Sequence, residues 1–121
     1  MGNERTECRI KPEYVLTKYL PNYVEQREGE ACQLGFAINR PPNGQITMPV
    51  TKWFKDSHEI SEEPGKYRFV EQGNERSLVV LSCTPGDSGL YKAYIMDESA
   101  EPPISLVTTN SCQVHIKKLK V

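Results

Sequence analysis

The 121-residue chain is poor in the groups that carry chemistry. It has two histidines, His58 in a Ser-His-Glu run and His115 beside Val114 and Ile116, and neither has a nucleophile at a spacing that implies a triad. It has no Cys-x-x-Cys or His-x-x-x-His pair, which argues against a structural zinc site. Gly86-Asp87-Ser88-Gly89 belongs to a turn and is no phosphate-binding loop. The longest aliphatic run, Leu78 to Leu81, is far too short to span a membrane, and the first five residues carry no apolar signal region. Charge of one sign is missing too: 15 basic against 16 acidic residues leave a formal net charge of -1, and no overall basic field for nucleic acid. The expectation is a chain without catalytic, cofactor-binding or metal-binding residues, and without a nucleic-acid or membrane partner.

What is present suits many short strands. With 37% hydrophobic residues and a mean hydropathy of -0.58, the chain supports one modest core. Nine prolines and eight glycines punctuate it throughout. Residues 1–11 read as a flexible polar arm, and 12–121 as one domain. Tyr14-Val15-Leu16 and Tyr23-Val24, broken by Pro21, read as an edge strand in two parts, because proline cannot donate to a ladder. After a turn at Glu28-Gly29-Glu30, Cys32, Leu34, Phe36 and Ile38 alternate with Gln33, Gly35 and Ala37, the period of a strand with one buried face. Val50 to Lys55 is a strand around Trp53. Tyr67 to Glu71 and Arg76 to Ser82, joined by Gln72-Gly73-Asn74, form a hairpin. Leu90 to Met96 and Ser111 to Val121 complete the set, with Cys112, Val114 and Ile116 alternating in the last.

Asp87-Ser88-Gly89-Leu90-Tyr91-Lys92-Ala93 resembles the Asp-x-Gly-x-Tyr-x-Cys signature of the immunoglobulin fold, with Ala93 in place of the cysteine. The resemblance extends through Glu28-Gly29, Trp53, Lys55-Asp56 and Leu78-x-Val80-x-x-Cys83, over about residues 12–121. It implies an all-β sandwich of the intermediate set: two antiparallel sheets, with Trp53, Leu78, Val80, Cys83 and Tyr91 in the core. Tyr91 would bond back to backbone upstream, with Asp87 and Gly89 shaping the turn that feeds it. Trp53-Phe54-Lys55-Asp56, Lys66-Tyr67-Arg68-Phe69, Gly73-x-x-Arg76-Ser77-Leu78 and Ser111 to Lys117 are similar to the group of muscle cytoskeletal domains that includes myosin-binding protein C, titin and obscurin. Ser57 departs from that pattern, where a turn glycine is usual.

The resemblance places the usual disulfide positions at Phe36 and Ala93, so a large apolar group and a small one stand in for the bridge. Losing a disulfide costs a small domain about 2–5 kcal/mol. Burying a phenylalanine offsets roughly 1.5–3 kcal/mol of that. Of the four cysteines, Cys32 and Cys83 read as buried apolar residues, while a Cys8–Cys112 bridge stays open as an alternative. A missing core bridge and the absence of any Asn-x-Ser/Thr sequon favour a reducing compartment. The resemblance therefore implies a non-catalytic, cytoplasmic module of a sarcomeric or cytoskeletal protein. Its partners would be muscle filament or scaffold proteins, with neighbouring immunoglobulin or fibronectin-type domains in the parent chain; a homodimer is compatible with it. The alternative is an extracellular adhesion or receptor domain that has lost its bridge.

Two connections are longer than the family's. Residues 39–49 carry Pro41-Pro42-Asn43-Gly44-Gln45, and 97–110 carry Glu98, Glu101, Pro102, Pro103, Ile104 and Leu106. In this topology both emerge at one end of the sandwich, and loops on a rigid scaffold are where binding concentrates. These residues are the candidate partner-binding surface. The competing reading is that Ile104 to Thr109 only extends a hairpin and covers an edge. Asp97, Glu98 and Glu101, like Glu59, Glu62 and Glu63, read as solvated loop charges, and Lys117, Lys118 and Lys120 as a solvated strand face or interdomain linker, with contact to an acidic filament surface as the alternative.

Overall fold

The computed structural model describes residues 14–39 and 49–119. The arm at 1–11, Cys8, Pro41, Pro42, Asn43, Gln45 and Lys120 lie outside the described residues. Ten strands follow in chain order: β1 (Leu16–Lys18), β2 (Tyr23–Arg27), β3 (Cys32–Ile38), β4 (Pro49–Lys55), β5 (His58–Ile60), β6 (Tyr67–Gln72), β7 (Glu75–Val80), β8 (Gly89–Asp97), β9 (Ile104–Thr108) and β10 (Cys112–Lys117). One sheet runs β1-β3-β7-β6; the other runs β2-β10-β8-β4-β5, with β9 also paired to β8. All the described pairings are antiparallel except β2 with β10. The edge strand expected in two parts is therefore split between the sheets: β1 joins β3, and after Pro21 β2 joins β10.

The core forms where the period-two faces meet. Cys32, Leu34, Phe36 and Ile38 of β3, Leu78 and Val80 of β7, Trp53 of β4, and Tyr91, Ala93 and Ile95 of β8 are all buried. Trp53 is 1% exposed, and its ring lies 5.6 Å from that of Phe36 at a tilt of 59°. Phe36 and Ala93 are buried in opposite sheets, as expected of residues filling the space of an absent bridge. Cys32, Cys83 and Cys112 are buried free thiols, and the Cys8–Cys112 alternative turns on Cys8, which lies outside the described residues. Burial pushes the Cys83 thiol up to about 11, and raises those of Cys32 and Cys112 as well.

Some details differ from the sequence reading. Ala37, assigned to the outward face, is only 8% exposed. Cys83 lies three residues beyond the end of β7 rather than within it, and is held there by its amide donating to Glu30 O at 2.9 Å. The last strand stops at Lys117, short of the expected Val121.

The end of the sandwich below β8 is locked by polar bonds. Tyr91 OH donates to Asp87 O at 2.6 Å, the bond that the Asp-x-Gly-x-Tyr pattern anticipates. The Asp87 carboxylate, 4% exposed, accepts from Lys66 Nζ at 2.7 Å and from the Thr84 amide at 2.8 Å. Burial pulls this carboxyl up, but the Lys66 and Thr84 bonds outweigh it and hold the group below the usual carboxylate range. Nearby, the β4–β5 hairpin turns through Asp56 and Ser57 at φ +48° and +71°, the mirror-image turn that suits strand twist. Asp56 Oδ1 accepts the Leu90 amide at 2.9 Å, and a Cβ at residue 89 would sit 2.7 Å from Asp56 Oδ2, which explains Gly89.

Two expectations follow. Replacing Ser57 by glycine relieves a left-handed residue whose strain is about 1–2 kcal/mol, less the entropy glycine loses on folding, so Ser57→Gly stabilises by about 0.5–1 kcal/mol in chemical denaturation. The Asp87 contribution is fully present above the unfolded carboxylate value near about 3.9 and is lost as pH falls through the depressed folded value. Acid titration followed by circular dichroism should show this loss; Lys66→Met should lower stability at neutral pH and make the acid fall shallower.

Candidate functional site

The stems of the two long connections meet at one pole. Pro49, the first residue of β4, pairs with Asp97, the last of β8, and Asp97 also pairs with Ile104, the first of β9. Residues 98–103 thus form a hairpin loop beside the start of β4, as the topology predicts. The segment 104–108 is a strand paired antiparallel with β8. Leu106, proposed as a binding-loop residue, is a correction: it sits at the register shift opposite Ile95 and Met96 and packs against the core. Ile104 begins the strand but stays 50% exposed. Glu98, Glu101, Pro102 and Pro103 are all exposed in the loop, and the Glu101–Pro102 peptide is cis.

The loop is internally bonded. Asp97 was expected to be a solvated charge, but it is 8% exposed and its Oδ1 accepts both the Ser99 amide at 3.0 Å and the Ser99 hydroxyl at 2.5 Å. This is an Asx turn, which an Asp-x-Ser spacing signals but which composition alone hides. Glu98 is paired as well: Lys52 Nζ of β4 lies 3.4 Å from Glu98 Oε2 and 3.6 Å from Glu59 Oε2. The Glu98 hydrogen bond and then the Glu59 charge raise the Lys52 ammonium, keeping it charged between them. Lys52 was absent from the sequence reading because it alternates with the core residues Thr51 and Trp53 like any outward strand residue. Among the described residues the pole is thus a rim of two exposed carboxylates, two prolines and one exposed isoleucine, braced by these bonds.

Below the pole, the outward face of β4 and β8 carries Phe54 against Tyr94, ring centroids 5.2 Å apart at 78°, with Lys92 Nζ 5.7 Å from the Tyr94 ring. His58 Nδ1 lies 3.1 Å from Asp56 O, a turn contact, while His115 is exposed on β10. No group of three or more metal-ligating side chains exists among the described residues.

Two facing sheets, a tryptophan between them and a tyrosine corner define an immunoglobulin-like β-sandwich, here without its cross-sheet disulfide. The resemblance to titin and obscurin domains read from the sequence is borne out in comparisons with known proteins. The chain is 38% identical over 65 residues, 51% of its length, to a titin homolog of Caenorhabditis elegans; it spans a negligible part of that protein, 0% when rounded. Among solved structures it superposes on the titin M10–obscurin-like 1 immunoglobulin complex with a TM-score of 0.67 and 16% identity, covering 89% of this chain and 97% of that one. Titin domain I10 gives a TM-score of 0.63 at 17% identity, covering 86% and 98%. No family model matches the chain.

If Asp97 holds the loop, Asp97→Ala frees the Ser99 amide and leaves the loop unbraced. Hydrogen exchange at Ser99 should accelerate, with a stability loss of about 1–3 kcal/mol in denaturant titration.

Proposed function

We propose that this chain is a non-catalytic structural and protein-interaction module of a larger sarcomeric or cytoskeletal protein, working in the cytoplasm. The observation that carries the reading is the 38% identity to a titin homolog over half the chain, joined to a sandwich that keeps three buried free thiols. Buried thiols with raised pKa values suit a reducing compartment, where a domain must hold itself together by packing. The parallel pairing of β2 with β10 supports a mechanical role. Tyr23 to Arg27 match Gln113 to Lys117 residue for residue, so tension applied at the two chain ends loads all five pairs in shear at once.

Docking would use the pole. The rim of Glu98, Glu101, Pro102, Pro103 and Ile104 is exposed, braced by Asp97 and Lys52, and already ordered, so a partner meets little ordering cost. A titin domain and an obscurin-like immunoglobulin domain form the complex named above, and an immunoglobulin domain of such a protein is the partner class we infer here. The test is to replace residues 98–103 by a two-residue Asn-Gly turn and measure capture of titin-type and obscurin-type domains. The loop-deleted protein should keep its melting transition and lose capture; undiminished capture would show that the loop does not bind.

A further inference from the structure

Among the described residues, the side of the sandwich between β5 and β6 is open. Both strands are sheet edges, and the gap between them forms a cleft of about 440 Å³. Val50, Ile60 and Phe69 give it an apolar lining. Its wall also holds Thr51, 7% exposed, whose hydroxyl has no hydrogen-bond partner among the described residues. Buried hydroxyls are nearly always paired, so one left unpaired beside a cleft marks a place for an incoming polar group.

The edge of β6 is bridged at its first residue, Tyr67, by Glu63, and beyond that bridge it presents backbone to the same cleft. The Phe69 amide points away from β7 and is taken by Glu62 Oε2 at 2.9 Å. A carboxylate there does what the carbonyl of an added strand would do. The charge is one-sided. Glu59, Glu62 and Glu71 line the cleft with one cation among the lining residues, Lys52, which is shared between Glu59 and Glu98; Arg76, outside the lining, reaches Glu71 Oε2 at 3.8 Å. In a chain whose whole net charge is -1, that is a local concentration of negative potential.

We propose that this cleft docks an extended basic peptide segment of a partner protein. The segment lays its backbone along β6 from Phe69 onward, past the Glu63–Tyr67 bridge, and its carbonyl takes over the Phe69 amide. Its alternate side chains then fall on two surfaces: apolar ones toward Val50 and Ile60, cationic ones toward Glu59, Glu62 and Glu71. A nucleic acid or an acidic lipid surface has the wrong sign for the same rim. This site is separate from the 98–104 rim and stands whether or not that rim binds.

The test is fluorescence anisotropy of the full chain with a labelled peptide alternating lysine and valine, beside the same peptide with glutamate for lysine. The lysine peptide should bind, weakening as salt rises, and the glutamate peptide should not. Amide resonances of Phe69 and Ile60 should shift on titration. Glu59→Gln combined with Glu71→Gln keeps the shape of both side chains and should weaken binding about tenfold at low salt. Thr51→Val removes only the hydroxyl and should weaken binding about threefold with no loss of melting temperature. Equal binding of both peptides, no binding, shifts confined to residues 97–104, or affinity unchanged in the glutamine pair would each overturn the proposal.

Discussion

The contact of Trp53 with Phe36 is the one on which the rest of the structure depends. In a sandwich cross-linked by a disulfide, the two sheets are tied covalently, and packing refines a geometry already closed. Here nothing covalent joins β3 to β8 among the described residues. The facing surfaces must fit closely, because a gap forfeits dispersion contacts outright. Phe36 supplies the volume and Ala93, at 0% exposure, leaves room for it. The tilted ring contact at 5.6 Å falls in the range that aromatic pairs prefer. Cys32, Cys83 and Cys112 serve the same core as small apolar groups, and their desolvated thiols are poor nucleophiles.

That packing leaves the two ends of the sandwich with different duties. At one end, Asp87 gathers Lys66, Thr84 and, through its backbone, Tyr91, while the amide of Gly29 reaches Cys83 O at 2.8 Å. Strands of both sheets are bonded there through one short segment. At the other end the chain makes its long connections, and order comes from side chains within the loop: Asp97 to Ser99, Lys52 to Glu98. The tied end lets the loop end vary, since residues 98–103 contribute no side chain to the hydrophobic core and their bonds stay local to the loop and Lys52.

Much of the fold was legible in the sequence because it is written in period two. The inward residues of β10 alternate cleanly, those of β3 do so as far as Phe36, and Tyr91 with its upstream aspartate announces its own hydrogen bond. What escaped depends on contacts between distant segments. Asp97 looked like one more acidic loop residue; its burial follows from the pairing of β8 with both β4 and β9, which no local pattern encodes. Leu106 looked like a loop residue because the register shift beside it breaks the alternation that would have marked it as packed. The positive φ of Ser57 was foreshadowed only by the absence of an expected glycine. The cleft beside β6 is invisible in one dimension, since Thr51, Ile60, Glu62 and Phe69 come from separate segments.

Edge strands explain why that cleft has its form. A sheet edge exposes unpaired amides and invites unwanted pairing, and proteins guard such edges with charge or short strands. β5 is three residues long, which limits what can pair with it. β6 is six residues long and is guarded differently, by the Glu63 bridge at Tyr67 and by the Glu62 carboxylate on its Phe69 amide. A guard of this kind is conditional. It repels acidic or neutral strands that cannot displace it, yet a basic strand gains from the same carboxylate once its own carbonyl replaces it at the amide. The groups that keep β6 from aggregating are therefore the groups that would make it selective, so protection and recognition at this edge are one electrostatic arrangement.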